Sequence, residues 1–312
     1  MDGKSVGRQK RFASLATGGL ILLAANAAGS SIYQWRDADG RLHFGDQPPQ
    51  AAATEDLSQK YDYSLPFSLL IDGIGYSVPS PLRDRLSTSV VKIFSIYRQA
   101  LGVDYPDSGE FRIMIYGSEA DFRAYQQQVA PVLENAAGFY NSASNQITTW
   151  AIPNERALIN LIVHECSHAI SASNAHAIPS WLNEGLAEYF ENLQVHGLSA
   201  DIPLDQHWLK TLRARGISEQ PGHLEATIRA PYKQWYAANG PDNLSYATSW
   251  SLVWYLMDSA EGRKLLNRLL TTAHPDANFS KQLIDQQWAG GFSALEQSWR
   301  QWLKNAQGKH RY

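Results

Sequence analysis

The chain has one cysteine in 312 residues, Cys166, so no disulfide can form within it. Its stability must come from packing or from a bound metal, and cysteine usage says nothing about the redox compartment. Basic clusters are also missing after the first dozen positions. Those positions hold four basic side chains and one acidic, so a chain of net charge −3 is left with about −6 without them. A chain without a basic block is not expected to bind nucleic acid.

The sequence also lacks a strong membrane-spanning run. The uncharged stretch at residues 12–28 contains a threonine, an asparagine, a serine and two glycines, which makes it a poor span. Its basic start, its apolar centre Leu-Ile-Leu-Leu and the small-x-small site at residues 25–27 predict a signal peptide at residues 1–27. We therefore expect export to the periplasm, with a mature chain that begins near Ala28. The alternative is an uncleaved N-terminal membrane anchor, since no charge follows until Arg36.

A small module is predicted directly after this segment, at residues 31–49. Two short alternating runs, at residues 32–35 and 42–44, flank an Asp-Gly pair at residues 39–40 that favours a tight hairpin turn. The module resembles a small N-terminal domain of unknown function that is common in exported proteobacterial proteins. It is interpreted either as a contact to the cell envelope or as a cap on the following domain. The composition of residues 50–66 predicts a linker.

One motif carries chemistry: His164, Glu165 and His168 form the pattern H-E-x-x-H. The segment at residues 157–170 is apolar nearly all round, which predicts a buried helix where polar side chains without partners are costly. Residues four apart share a helical face, so the two imidazoles can converge on one metal ion, with Glu165 beside it as a general base. The alternative is a hydrogen-bonded pair of core histidines. By helical phase Cys166 faces away and is interpreted as a small buried hydrophobe.

A zinc ion would need a third protein ligand, and Glu184 is the candidate. It lies in a second predicted helix, residues 181–191, which follows Pro179. The link of about ten residues between the two helices allows antiparallel packing, which would bring Glu184 opposite the histidines. Glu188, one turn further on, could accept a hydrogen bond from a ligand imidazole and fix its tautomer, or be a plain surface carboxylate.

The pairing of HECSH with WLNEGLAEYFE resembles the gluzincin metallopeptidases, the group of thermolysin and the aminopeptidase N-like enzymes, and most closely their bacterial peptidase MA-like branch. The resemblance covers residues 138–303. It implies Zn²⁺ as cofactor, Glu184 as third ligand, Glu165 as base, and a peptide or protein as substrate. Fifteen residues separate His168 from Glu184, fewer than in the aminopeptidases, and the G-x-M-E-N motif is absent. Substrate specificity therefore cannot be taken from those enzymes, and no feature indicates an oligomeric state.

The pattern of residues 67–312 predicts an α+β fold, in which a mixed β-sheet subdomain carries the zinc helix and an all-helical C-terminal subdomain follows. We expect strands at residues 67–71, residues 111–116 and twice within residues 138–150, and helices that start at Ser80 and after Ser118 and that include residues 245–270. Ser293 and Glu296 form the pattern of a capping box at the last helix. The resemblance implies that residues 146–152 are the sheet edge that pairs with a substrate backbone.

The hypothesis that follows is a zinc-dependent peptidase of the bacterial envelope. A water that attacks a carbonyl creates an oxyanion, and aminopeptidase-like gluzincins stabilise it with a tyrosine at a place that Tyr246, 62 residues after Glu184, fits here. If Tyr246 is a packing residue, Tyr255, His223 or a backbone amide is the donor. The alternative function is a degenerate relative that acts as a binding or scaffolding module, against which stands the intact Glu165.

Overall fold

The chain forms two compact units, Met1–Asp62 and Tyr63–Tyr312, in a computed structural model. The predicted signal peptide lies outside the described residues. Within the part of the chain that the structure describes, no helix combines the length and apolar character needed to cross a membrane. The structure describes residues 33–36, 42–45, 54–56, 65, 67–105, 109–133, 136–174, 178–237, 240, 242–272 and 278–312.

The N-terminal unit holds three short antiparallel strands in the order β2-β1-β3. Strand β1 is Tyr33–Arg36, β2 is Leu42–Gly45 and β3 is Thr54–Asp56. The first two form the predicted hairpin. Strand β3 pairs with the other side of β1, although it lies within the segment predicted as a linker. The N-terminal module therefore extends at least to Asp56.

The second unit has the predicted α+β character. Its sheet-bearing part contains β4 (Ser68–Ile74), α1 (Ser80–Leu101), β5 (Glu110–Tyr116), α2 (Glu119–Val129), β6 (Gly138–Asn141), β7 (Gln146–Trp150), α3 (Glu155–Asn174) and α4 (Ser180–Glu191). The rest contains β8 (Gln194–His196), β9 (Ser199–Pro203), α5 (Gln206–Ala214), α6 (His223–Arg229), α7 (Tyr232–Ala237), α8 (Leu244–Met257), α9 (Ala260–Thr271), α10 (Phe279–Gln287), α11 (Gly291–Asn305) and β10 (Lys309–Arg311).

The main sheet has the strand order β4-β5-β7-β6. Strands β4, β5 and β7 are parallel, and a row of buried isoleucines, Ile71, Ile113 and Ile147, runs across them. Strand β6 is antiparallel to β7 and forms one edge. The prediction that residues 146–152 are the edge is therefore wrong, because the hairpin that precedes α3 places β6 outside β7.

Two helix boundaries have local causes, and the second of them, after Ser118, was predicted. Helix α1 ends where Gly102 adopts a left-handed φ of 62°, a conformation that costs glycine little. At the start of α2, Ser118 Oγ accepts a hydrogen bond from the backbone amide of Asp121. This bond satisfies one of the amides left free at a helix start.

The C-terminal part corrects two predictions. It is not all helix, because β8, β9 and β10 form a small antiparallel sheet. The capping box is also wrong: the Glu296 carboxylate accepts hydrogen bonds from the amides of Gly222 and Leu224, far away in the sequence. Asp285 instead accepts from the Phe292 amide at the start of α11. Residues 245–270 are helical, as predicted, and form the two helices α8 and α9, because Ser259 caps the start of α9.

Candidate metal centre

Helix α3 carries the two histidines of the motif on one side. It spans the predicted helical segment, and its other faces are buried through residues such as Ile162, Cys166 and Ile170. The side chains of His164 and His168 are 14% and 18% exposed, and their ring centroids lie 4.9 Å apart. The helix therefore presents two neighbouring imidazoles at the same partly open place.

Helix α4 brings Glu184 to these imidazoles, and α3 and α4 pack against each other. Glu184 Oε2 lies 3.8 Å from His164 Nε2 and 3.8 Å from His168 Nε2. These separations exceed a hydrogen bond, yet the three atoms face one another around a common point. Two imidazole nitrogens and one carboxylate oxygen are also the donor set of zinc hydrolases. The three residues thus fit a zinc ion by donor type and by convergence.

Gly185 determines how closely α4 approaches α8. A Cβ atom at this position would lie 2.8 Å from the carbonyl oxygen of Ser249 and 3.0 Å from Val253 Cγ2. Because the nearest neighbour is backbone, relief requires the helices to move apart. The glycine of the NEGLAE segment therefore sets the position of the neighbouring Glu184.

We expect Gly185→Ala to destabilise the protein by about 1–3 kcal/mol, because the added methyl overpacks the contact between α4 and α8. Chemical denaturation of the metal-free protein measures this change. Gly240→Ala is the matched control, since a Cβ there meets no atom within 4 Å. Equal stability of the two variants would contradict the close approach at Gly185.

The other nitrogen of His164 faces carboxylates at the end of α4. His164 Nδ1 lies 3.1 Å from Glu191 Oε2 and 4.0 Å from Glu188 Oε1. The hydrogen bond that was predicted for Glu188 is therefore made by Glu191, while Glu188 Oε2 accepts a hydrogen bond of 2.8 Å from Trp208 Nε1. Glu191 was not predicted from the sequence, although it stands seven residues, or about two helical turns, after Glu184 on the same face.

The surroundings of His164 are strongly acidic. Burial lowers its pKa, but the hydrogen bond to Glu191 and the charges of Glu188, Glu165 and Glu184 outweigh burial and raise the pKa to about 10. Burial also raises the pKa of Glu188 to about 7, with a further rise from Glu191 and an opposing effect of His164. This concentration of negative charge favours a bound cation.

Glu165 is a buried carboxylate, 6% exposed, beside this cluster. Its charge acts on His164 and on Tyr246, which places it near both. Among the described residues, its side chain has no hydrogen-bond partner. Its oxygens are therefore available to accept a proton.

Aromatic residues of α7 and α8 form a further side of the site. Tyr236 Oη donates a hydrogen bond of 2.6 Å to Glu184 Oε1. The ring centroid of Tyr246 lies 4.8 Å from that of Trp235 and 6.3 Å from that of Tyr236. Burial, followed by the charges of Glu184 and Glu188, raises the pKa of Tyr246. The structure therefore brings Tyr246 near the acidic cluster.

Tyr236 was not predicted from the sequence, because the short helix α7 carries no motif and only the contact with Glu184 reveals the role of this tyrosine. The two other side chains considered as donors have different surroundings. Tyr255 packs against Trp288 and Trp302. His223 Nε2 lies 2.9 Å from Thr248 Oγ1 within hydrogen-bond distance, and burial lowers its pKa.

The sequence matches two families. Residues 112–305, more than half of the chain, match the Peptidase MA superfamily, and residues 19–64 match a domain of unknown function, DUF4124. The chain therefore belongs to the Peptidase MA superfamily. The matched region contains α3, α4, α7 and α8, and hence every residue of the site described above. No curated protein matches the chain.

Proposed function

We propose that this chain is a zinc-dependent peptidase of the gluzincin type that acts in the bacterial cell envelope. The proposal rests chiefly on one observation: a carboxylate oxygen of Glu184 on α4 lies 3.8 Å from one imidazole nitrogen of each of the two histidines on α3. His164, His168 and Glu184 would hold the ion. Membership in the Peptidase MA superfamily supports a protease.

When bound, zinc would act as a Lewis acid on the scissile carbonyl and on the attacking water. Glu165 takes the proton of that water and later gives it to the leaving amine. Its burial and its lack of a hydrogen-bond partner among the described residues support this role. Tyr246 donates a hydrogen bond to the oxyanion that forms at the carbonyl. Glu191 orients His164 through the hydrogen bond at Nδ1, and Glu188 adds negative charge on the same side.

The substrate backbone is proposed to pair with the edge strand β6. In the described sheet β6 hydrogen-bonds to β7 alone, so its other edge can add an extended peptide. Strand β6 also packs against α3, which carries the histidines. The pairing role expected for residues 146–152 thus passes to Gly138–Asn141.

The enzyme is proposed to be located in the periplasm and to contact the cell envelope through the N-terminal module. The match of residues 19–64 to DUF4124 is consistent with an exported protein. The basic, apolar and small-x-small order of residues 1–27 supports a cleaved signal peptide.

Metal analysis of the purified protein, followed by incubation with a mixed peptide library and a mass readout of the cuts, tests the proposal. We expect about one zinc per chain and cleavage that a chelator stops and added zinc restores. A chain that binds zinc but cuts no peptide would favour the scaffolding alternative. A chain that binds no metal would contradict the site itself.

We expect Tyr246→Phe to lower kcat by about 10²- to 10³-fold, because an oxyanion donor is lost. Zinc content, fold and substrate affinity should be retained, since Phe keeps the ring that packs on Trp235. Steady-state kinetics with a cleaved library peptide measure the change. An unchanged kcat would make Tyr246 a packing residue and leave His223 or a backbone amide as the donor.

A further inference from the structure

The two oxygens of the Glu184 carboxylate have different partners. Oε2 faces His164 Nε2 and His168 Nε2 at 3.8 Å each. Oε1 accepts the hydrogen bond of 2.6 Å from Tyr236 Oη and lies 3.5 Å from Asn183 Nδ2. One oxygen of the carboxylate thus faces the candidate metal position, and the other accepts hydrogen bonds from protein donors.

The ring of Tyr236 packs between two other aromatic rings of α7. Its ring lies 4.9 Å from that of Trp235, which is fully buried, and 4.6 Å from that of Tyr232. Helix α7, which carries it, packs against α4. These contacts place the Tyr236 hydroxyl beside Glu184.

A carboxylate can bind a metal through one oxygen or through both. Two-oxygen binding by Glu184 would add a further ligand atom and crowd the position that a hydrolytic site keeps for water and substrate. For Oε1 to turn toward the metal, it would have to give up its bond to Tyr236, and a charge-assisted hydrogen bond of this kind is strong.

Resting on the proposed zinc site, we propose that Tyr236 is a positioning residue that restricts Glu184 to one-oxygen ligation and keeps the fourth metal position open. Tyr236 acts through Glu184, to which its hydroxyl donates. Its removal should therefore alter the metal site itself, before any effect on turnover.

The first test compares Zn²⁺ affinity of the full chain, Tyr236→Phe and Tyr232→Phe by competition with a chelator. We expect about 10- to 100-fold weaker binding in Tyr236→Phe, the usual effect of losing a hydrogen bond to a metal ligand. Tyr232→Phe should bind as the parent does. It removes a hydroxyl one turn away on the same helix, from a residue that is 67% exposed. Thermal unfolding of the metal-free variants checks that both are folded.

The second test uses the visible absorption of the Co²⁺-substituted proteins, which reports coordination number rather than activity. The parent and Tyr232→Phe should give the intense bands of a four-coordinate site. Tyr236→Phe should give the weaker bands of a five-coordinate site, since Glu184 is then free to bind through both oxygens. A role in packing alone would leave this spectrum unchanged.

The outcomes separate the two proposals. If the parent binds metal and Tyr236→Phe keeps both its affinity and its Co²⁺ spectrum, Tyr236 is a packing residue and the zinc site stands. If the parent binds neither Zn²⁺ nor Co²⁺, the zinc site is wrong, and the role of Tyr236 is wrong with it.

Discussion

Glu165→Gln is expected to lower kcat by about 10²- to 10⁴-fold, the usual contribution of a general base. The amide has nearly the size of the carboxylate but cannot take the proton of the attacking water. Since Glu165 lies beside the three candidate ligands and is not one of them, the variant should keep about one zinc per chain. Metal analysis and steady-state kinetics on the same preparation measure the two quantities together.

The matched control is Glu219→Gln, which makes the same chemical change at an exposed carboxylate paired with Lys304. Exposed ion pairs contribute little, so activity and stability should stay near those of the parent. If Glu165→Gln cleaves as fast as Glu219→Gln, the proton passes through another group, and the proposed role of Glu165 is wrong.

His164→Ala and Glu184→Ala are each expected to remove zinc and with it all detectable peptide cleavage. Two remaining protein ligands are fewer than a catalytic zinc site requires. The stabilisation that zinc gives to the folded chain, about 4 kcal/mol when free zinc is about 1,000 times its Kd, should disappear as well. Thermal unfolding with and without added zinc measures this loss independently of activity.

His196→Ala serves as the control, because His196 is an exposed histidine on β8. It should keep both zinc and the zinc-dependent rise in melting temperature. The paired result with Glu165 is decisive for the assignment of roles. If Glu184→Ala keeps its zinc while Glu165→Gln loses it, ligand and base have been exchanged.

Prediction from sequence succeeded where the signal is local. The helix of His164 and His168 follows from an apolar segment with helical spacing, and Ser118 caps α2 through the residue three positions on. The mixed sheet followed by helices also follows from the order of the patterns along the chain. Each of these depends on residues within a few turns of one another.

The errors concern contacts between distant segments. Strand β7 became an inner strand because β6 covers its outer side. Strand β10 pairs with β9 across about a hundred residues of sequence. Strands of three residues, such as β8 and β10, are too short to show an alternation of apolar and polar residues in the sequence. Glu296 matches a capping box locally, but the amides of Gly222 and Leu224 compete for it in the folded chain.

The sequence alone determined the chemistry that this site can offer: two imidazoles four residues apart, the Glu165 carboxylate beside them, and a following helix that is rich in glutamate. Helical periodicity fixes how the two imidazoles and Glu165 are arranged on α3 before any tertiary contact forms. Only the tertiary structure decided how the donors are held. It joined Glu191 to His164 and Tyr236 to Glu184, and set the distance between α4 and α8 at Gly185. These relations depend on how the helices pack against one another, which no local pattern in the sequence specifies.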